Sequence, residues 1–252
     1  MKAIYNAIAP EPLPDDGKIW GYITRSSAGT VRIATTVSDS VCTALEIDDV
    51  VVTKSRDQYL SAGEHIIKFT LANSTTAPDM FRSSGPYTKY ILPLSITAIA
   101  ANAFYSSNTL IVFDQSKIIT IGSVGFRSCS FVDNTINMPN LTTLGSNAFQ
   151  ATTIKIVNNL GEITDLPSGC FRDATSLEQI TIPSTVTSIG DYCFYGNVAN
   201  KLTIICEATA PPTVGTSWVQ RAPKAIKVPS ASVATYQAAS GWSTYSSIIS
   251  AI

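Results

Sequence analysis

The chain has 252 residues, a formal net charge of −1 and only 14% charged residues. This length allows one or two domains with a sizeable core. The near-neutral charge lacks the basic footprint of a nucleic-acid-binding protein, and no apolar run is long enough to span a membrane. The low charge, with serine and threonine supplying much of the polar surface, favours a rigid β-rich extracellular module over a cytosolic helical enzyme.

The first residues, MKAIYNAIAPEPLPDDG, lack the charged start and apolar segment of a secretory signal. We therefore expect either that the protein stays inside the cell or that the chain begins after a removed export signal. Pro10, Pro12 and Pro14 break any helix in this stretch. The following IWGYIT, from Ile19 to Thr24, fits a β-strand.

Residues 28 to 73 have the pattern of a small antiparallel β module. The segment TVRIATTV combines β-branched residues with alternation. Asp48, Asp49 and Gly63 are turn residues, and after Gly63 the segment HIIKFTL alternates apolar and polar side chains. We interpret this part as an Ig-like sandwich that leads into the rest of the chain.

A pattern of two spaced aliphatic residues followed by a phenylalanine then occurs five times at a nearly constant interval. The phenylalanines are Phe104, Phe126, Phe149, Phe171 and Phe194. Aliphatic residues stand eight positions earlier, at Ile96, Ile118, Leu141, Ile163 and Val186, and five positions earlier, at Ile99, Ile121, Leu144, Leu166 and Ile189. The interval is too short for helix-pair repeats and lies in the leucine-rich repeat range.

One such unit cannot enclose its own phenylalanine, whereas stacked units place equivalent side chains in ladders about 4.8 Å apart. We therefore predict a solenoid of 22–23-residue coils with one continuous phenylalanine spine. Phe81 lies one such interval before Phe104 and is expected to begin a degenerate first coil that caps the open end of the core.

The position before each phenylalanine always holds a small residue: Ala103, Gly125, Ala148, Cys170 and Cys193. Small side chains let the backbone pass close to the spine, so we interpret the two cysteines as buried apolar residues. A disulfide between Cys170 and Cys193 is the alternative. The wide spacing of the five cysteines argues against a zinc site or a redox pair.

Glycine follows the second aliphatic residue in three of the five units, at Gly122, Gly145 and Gly190. We expect these glycines to turn the chain with positive φ, where other residues meet a steric penalty. Ala100 and Pro167 occupy the same column in the other two units, so the turn need not be identical in every coil.

The segments LPLSITAIAANAF, TTLGSNAF and IPSTVTSIGDYCF resemble the BspA-like leucine-rich repeat of bacteria over about residues 90 to 206. CEATAPP and IKVPSASVATYQAASGW are similar to the end of such arrays, and the matching residues are Ile226, Val228, Pro229, Tyr236 and Trp242. The resemblance implies a secreted or surface protein of anaerobic bacteria that adheres or binds host proteins. Gln115 and Leu160-Gly161 depart from the turn proline of this pattern.

The carboxyl-terminal segment is expected to seal the far end of the solenoid. Ser230 can cap a helix that starts near Ala231. The helix and the later apolar residues would then cover the last coil, through Val233, Tyr236, Gln237, Trp242, Ile248 and Ile249. We predict a mainly β protein with an amino-terminal module (1–75), a leucine-rich repeat solenoid (76–206) and a cap with a short helix (207–252).

The sequence contains few residues in the patterns of catalytic or metal-binding sites. Its single histidine, His65, is expected to be a partly exposed structural residue, and no serine or cysteine has a catalytic partner. The acidic pairs Asp15-Asp16 and Asp48-Asp49 are interpreted as solvated turns, with weak calcium binding as the alternative. We therefore predict a protein that is not an enzyme and has no cofactor and no metal.

The position after each phenylalanine is the candidate surface for a partner. It holds large aromatic, arginine and glutamine side chains: Tyr105, Arg127, Gln150, Arg172 and Tyr195. The plain alternative is that these are merely exposed solenoid positions. We predict a monomeric adhesion or protein-interaction module that binds a protein or a glycan and no nucleic acid. The alternatives are a carbohydrate-binding or carbohydrate-processing protein, with Trp20, Trp218 or Tyr195 stacking on sugars, and a structural spacer.

Overall fold

The computed structural model describes residues 16–35, 37–76, 79–82, 87–106, 110–131 and 134–252. In these ranges the protein is mainly β, with parallel-paired repeats and a short carboxyl-terminal helix. Asp15, one of the residues considered for calcium, lies outside the described residues.

The amino-terminal part is antiparallel, as its alternation predicts. Its strands are β1 (Lys18–Arg25), β2 (Gly29–Arg32), β3 (Cys42–Ile47), β4 (Val50–Val51), β5 (Asp57–Leu60) and β6 (Gly63–Leu71). Strand β6 lies between β1 and β3, β3 pairs with β4, and β2 and β5 form a separate pair. The turn predicted at Asp48 and Asp49 is present, with φ values of 51° and 66° that suit a tight two-residue hairpin.

Most repeats supply two short strands, equivalent strands of successive repeats pair in parallel, and the carboxyl-terminal segment adds further parallel strands. The strands are β7 (Tyr87–Ile91), β8 (Ala98–Ile99), β9 (Leu110–Val112), β10 (Thr120–Ile121), β11 (Ser130–Phe131), β12 (Thr135–Asn137), β13 (Thr143–Leu144), β14 (Ile156–Asn159), β15 (Asp165–Leu166), β16 (Gln179–Ile182), β17 (Ser188–Ile189), β18 (Thr203–Cys206), β19 (Thr213–Val214), β20 (Ala225–Val228) and β21 (Ile249–Ala251). One side of the stack carries the orders β7-β9-β11 and β12-β14-β16-β18-β20-β21, and the other carries β8-β10-β13 and β15-β17-β19.

One sheet joins the amino-terminal strands to the first repeats. Strand β7 pairs antiparallel with β1 and parallel with β9, which gives the seven-stranded order β11-β9-β7-β1-β6-β3-β4. On the face away from the main core, Ile91 and Val112 are buried, and side chains that include Trp20 and Tyr22 pack on them. The domain boundary predicted after residue 75 therefore lies between β6 and β7, and both of these strands belong to this sheet.

The short-strand side is divided in two at Pro167. Elsewhere in this column a backbone N–H donates to the preceding repeat: Gly122 to Ile99 O at 2.7 Å, Gly145 to Ile121 O at 2.8 Å and Gly190 to Leu166 O at 2.7 Å. Proline has no N–H, so Pro167 cannot make this bond. The sheet accordingly stops after β13 and resumes with β15.

The expectation of positive φ at Gly122, Gly145 and Gly190 is wrong, because none of the three adopts it. A side chain is excluded there by close stacking instead. A Cβ at Gly145 would lie 2.2 Å from the backbone N of Ser123, and one at Gly122 or Gly190 would lie 2.5 Å from a backbone N of the preceding repeat. At these three positions glycine is thus required by backbone approach and not by the turn.

The phenylalanine spine forms as predicted and includes Phe81. Consecutive rings from Phe81 to Phe194 lie 5.2, 5.8, 6.0, 5.4 and 5.9 Å apart between centroids, with interplanar angles of 18° or less. All six rings are buried. The stack is closed at one end by the edge of Phe69, 5.1 Å from Phe81, and at the other by Trp218, 6.2 Å from Phe194.

The small column before the spine is buried, and its two cysteines are free thiols. The alternative of a Cys170–Cys193 disulfide is therefore not realised. Burial raises the pKa of the Cys193 thiol to about 12, and burial also raises the pKa of Cys170. Both residues pack as small apolar side chains, as the sequence pattern indicates.

The carboxyl-terminal segment covers the last repeat, but its helix starts later than predicted. A 3₁₀ helix at Ser230–Ser232 precedes the α-helix α1 (Val233–Ala238), and 3₁₀ helices also span Gln115–Lys117 and Ser243–Ile248. Ser230 caps neither element: Pro229 stands at the N-cap of the 3₁₀ helix, where its carbonyl accepts from Ser232 N at 2.8 Å, and Ser232 stands at the N-cap of α1. Of the side chains predicted to seal the far end, Tyr236, Trp242 and Ile249 are buried in the core.

Candidate functional site

The five side chains predicted to meet a partner lie in one column of the repeat stack. Each follows a spine phenylalanine, and the phenylalanine N–H fixes the register by donating to the next repeat, as Phe126 N does to Ala148 O at 3.0 Å. Arg82 follows Phe81 in the same way. We call the six residues the Arg–Tyr column: Arg82, Tyr105, Arg127, Gln150, Arg172 and Tyr195.

Two left-handed residues per repeat build the turn that carries this column. Positive φ occurs two positions before each phenylalanine, at Asp79, Asn102, Val124, Asn147, Gly169 and Tyr192, and two positions after the last five, at Ser106, Ser128, Ala151, Asp173 and Gly196. The turn directs the phenylalanine inward and leaves the next side chain at least partly exposed in every repeat except at Gln150. Sequence reasoning missed both positions, although asparagine, aspartate and glycine, which tolerate positive φ, occur in them.

Cations and aromatic rings contact one another along the first half of the column. The Cζ of Arg82 lies 5.1 Å from the ring centroid of Tyr105, and the Cζ of Arg127 lies 4.8 Å from the same ring. Both distances are within the range of cation–π attraction. Tyr105 therefore stands between two arginines from the neighbouring repeats. Sequence reasoning did not include Arg82, although its position directly after Phe81 identifies it.

A second group of an arginine and tyrosine rings lies at the other end of the column. The Cζ of Arg172 is 5.4 Å from the ring centroid of Tyr195 and 6.0 Å from that of Tyr192. The two tyrosine rings meet edge to face at 5.5 Å, and Tyr192 is 40% exposed. The arginine is thus held over a pair of aromatic rings at the surface.

Gln150 separates the two groups and differs from its neighbours. It is only 8% exposed, and its Nε2 donates to Asp173 Oδ2 at 3.4 Å. Asp173 also lies 3.4 Å from Arg172 Nε, and Asp79 lies 3.2 Å from Arg82 Nη1. Within the described residues Arg127 has no carboxylate at salt-bridge distance, and its guanidinium lies against the Tyr105 ring.

The three aromatic residues considered for sugar stacking already contact other side chains of the protein. Trp218 is 4% exposed at the end of the spine, so its expected surface role is wrong. The Nζ of Lys68 lies 4.3 Å from the Trp20 ring centroid, and the Cζ of Arg172 lies 5.4 Å from the Tyr195 ring centroid. A polar cleft of about 260 Å³ lies in the later repeats, but its lining, which includes Asn159, Glu162 and Glu207, has no aromatic ring.

His65 is nearly buried, with 8% exposure, and not partly exposed as predicted. Its Nδ1 lies 2.8 Å from Asp48 Oδ2, and its Nε2 lies 3.2 Å from the Ser61 carbonyl oxygen. The hydrogen bond to Asp48 raises the pKa of His65, against the opposing effect of burial. The pair joins the β3–β4 turn to strand β6, and Asp48 Oδ1 also accepts from Ile66 N at 2.9 Å.

The carboxylates considered for calcium serve this local structure. Asp48 binds His65, Asp49 binds Lys68, and Asp16 Oδ2 accepts from Trp20 Nε1 at 3.1 Å. Among the residues that the structure describes, no group of three or more histidine, cysteine, aspartate or glutamate side chains is placed to hold a metal ion.

Comparison with known families matches residues 74–202 to the BspA type leucine rich repeat region, in six copies. This range covers just over half of the 252 residues and begins with the repeat of Phe81. The search of curated proteins gives no match. Within the described ranges, every helix is too short or too polar to cross a membrane.

Proposed function

Because the chain belongs to the BspA-type leucine-rich repeat family, we propose that it is a non-catalytic adhesion module that binds a protein partner. Repeats of this kind present extended surfaces on a rigid stack. The Arg–Tyr column is the surface that we assign to the partner. We also propose that the repeats form a solenoid and that the amino-terminal strands form an Ig-like sandwich, supported by the burial of Val31 in β2 and Leu60 in β5.

The observation that supports this proposal best is the stacking of arginine on tyrosine along the column. Arginine and tyrosine are enriched among the residues that dominate protein interfaces. Cation–π contacts hold their long side chains in place before binding, so less conformational entropy is lost when a partner arrives. A surface that is ordered in advance is suited to recognition.

Binding is tested on an array of folded extracellular and matrix proteins. We expect at least one ligand of the native chain to be lost, with a tenfold or greater fall in affinity, when Arg127 and Arg172 are both replaced by glutamine. The double variant Arg56→Gln, Arg221→Gln is the matched control, because both residues are exposed and lie outside the column. Equal losses in the two double variants would sink the assignment of the column.

We further propose that the protein acts at the cell surface or after secretion, as the bacterial family is typically found there. Protease added to intact producing cells should then digest the chain while a cytoplasmic marker stays whole. Complete protection until the cells are broken would contradict this location.

A carbohydrate ligand is the competing function. It is not favoured, because Trp218 is buried and Lys68 lies over Trp20. A glycan array and a hydrolysis screen decide the point: selective glycan binding that survives loss of the column arginines would replace the protein-binding proposal. A chain that binds neither proteins nor glycans would act as a structural spacer.

A further inference from the structure

The repeats are organised in pairs. Successive intervals between the spine phenylalanines, from Phe81 to Phe194, alternate strictly between a longer and a shorter value that differ by a single position. The turn proline follows the same rule and occurs in every second repeat, at Pro93, Pro139 and Pro183. The surface that these repeats display therefore has a period of two repeats.

The Arg–Tyr column has this double period. Arginine occupies one member of each pair, at Arg82, Arg127 and Arg172, and the other member holds Tyr105, Gln150 and Tyr195. Neighbouring strands of a sheet lie about 4.8 Å apart, so arginines two repeats apart are separated by roughly 10 Å. The column thus offers three cations at regular spacing, with partly exposed tyrosines and the nearly buried Gln150 between them.

The arginines are positioned to bind carboxylates. A guanidinium that rests on an aromatic face keeps N–H groups at its edge for a planar anion. Asp79 and Asp173 each approach one nitrogen of Arg82 and Arg172, at 3.2 and 3.4 Å, which leaves most of the five donors of each guanidinium for a partner. Arg127 has no such neighbour within the described part of the chain, so it is the strongest anion site of the three.

An extended acidic segment has the matching repeat. A polyproline II helix has three residues per turn and rises about 3.1 Å per residue, so side chains of the same face recur about every 9 Å. Acidic side chains on the same face of a β-strand recur at about 7 Å, which does not fit. Proline rings between the acidic residues would meet Tyr105 and Tyr195, since aromatic surfaces are what such segments dock on.

We propose that the Arg–Tyr column receives an acidic, proline-rich segment of a partner protein in the polyproline II conformation. One carboxylate binds each of Arg82, Arg127 and Arg172, and the intervening prolines pack on the tyrosines. This inference rests on the protein-binding function proposed above and specifies the chemistry of the partner.

The test uses a synthetic peptide of six Glu-Pro-Pro units and the intact chain, with affinity measured by calorimetry. We expect saturable binding that weakens about tenfold or more in Arg127→Gln, because a hydrogen bond to a charged group is lost. Arg127→Lys should recover only part of the affinity, since lysine lacks the planar fork. Arg221→Gln is the control, and its affinity should equal that of the native chain.

Two further peptides separate spacing from charge. A peptide with the same composition but its six glutamates together should bind about tenfold more weakly, and six Lys-Pro-Pro units should not bind. Equal binding of the two acidic peptides, or no effect of Arg127→Gln, would overturn the inference. Tighter, arginine-dependent binding of a sulfated polysaccharide would assign the column to a glycan instead.

The outcomes also separate this inference from the function on which it rests. If the column variants lose folded protein ligands but the native chain does not bind the acidic peptide, only the acidic segment is wrong. If no column variant changes the binding of any protein, both proposals fail.

Discussion

Val124 is a β-branched residue held at a φ of 63°, in the turn that carries the Arg–Tyr column. The equivalent positions hold Asn102, Asn147, Gly169 and Tyr192, and asparagine and glycine tolerate this conformation far better. Val124→Asn should therefore raise the free energy of unfolding by about 1 kcal/mol. Urea denaturation measures the change.

The control is Val198→Asn, because Val198 is an exposed valine without positive φ. Its unfolding free energy should change by less than about 0.5 kcal/mol. A loss of stability in Val124→Asn would show that the packing of the valine methyl groups outweighs the strain of its backbone.

Gly145 tests the close approach of neighbouring repeats. A Cβ there would lie 2.2 Å from the backbone N of Ser123, and the rigid backbone cannot withdraw without separating the repeats. Gly145→Ala should destabilise the protein by about 2 kcal/mol or more. Gly125→Ala is the matched control, since its nearest contact would be 3.1 Å, and it should cost clearly less in the same thermal melts.

At the scale of single elements, the β3–β4 turn should respond to pH through His65. Its raised pKa means that the charged imidazole is favoured in the folded protein, between Asp48 and the Ser61 carbonyl. This contribution is complete below the ordinary histidine pKa of about 6.5 and is lost as the pH rises through the raised value. Stability measured between pH 5 and 9 should fall across this window.

His65→Gln provides the comparison for that titration. Because glutamine does not titrate, the difference in stability between the native chain and the variant should shrink as the pH rises. His65 is the only histidine in the chain, so no other imidazole contributes to the slope. A difference that stays constant with pH would contradict the assignment.

The central rung of the phenylalanine spine should be the most costly to remove. Phe149 is buried and lies between Phe126 at 6.0 Å and Phe171 at 5.4 Å. Phe149→Ala leaves a cavity that the stacked backbones cannot close, so we expect a loss of about 3–5 kcal/mol by urea denaturation. Tyr59→Ala, at an exposed aromatic residue, should cost less than about 1 kcal/mol, and a similar loss in both variants would contradict the spine.

Across the whole molecule, features that recur in every repeat could be predicted from the sequence, whereas contacts that occur only once could not. The interval between phenylalanines determined the register of the spine, the burial of Cys170 and Cys193 and the alignment of the Arg–Tyr column. The pairing of Tyr22 in β1 with Lys89 in β7 has no periodic signal, because it joins segments that lie far apart in the sequence. The sequence shows that Pro167 departs from the glycine of its column. That this proline divides the sheet became clear only from the hydrogen bonds of the structure.

The sheet shared by β1 and β7 should make the stability of the repeats depend on the amino-terminal strands. Residues 76–252 expressed alone would leave the β7 edge without β1 and the Phe81 ring without the cover of Phe69. An unpaired edge and exposed core favour aggregation and local unfolding. We expect the fragment to melt at a lower temperature than the intact chain and to bind a hydrophobic dye. A fragment with unchanged melting would show that the repeats are stable independently of the amino-terminal strands.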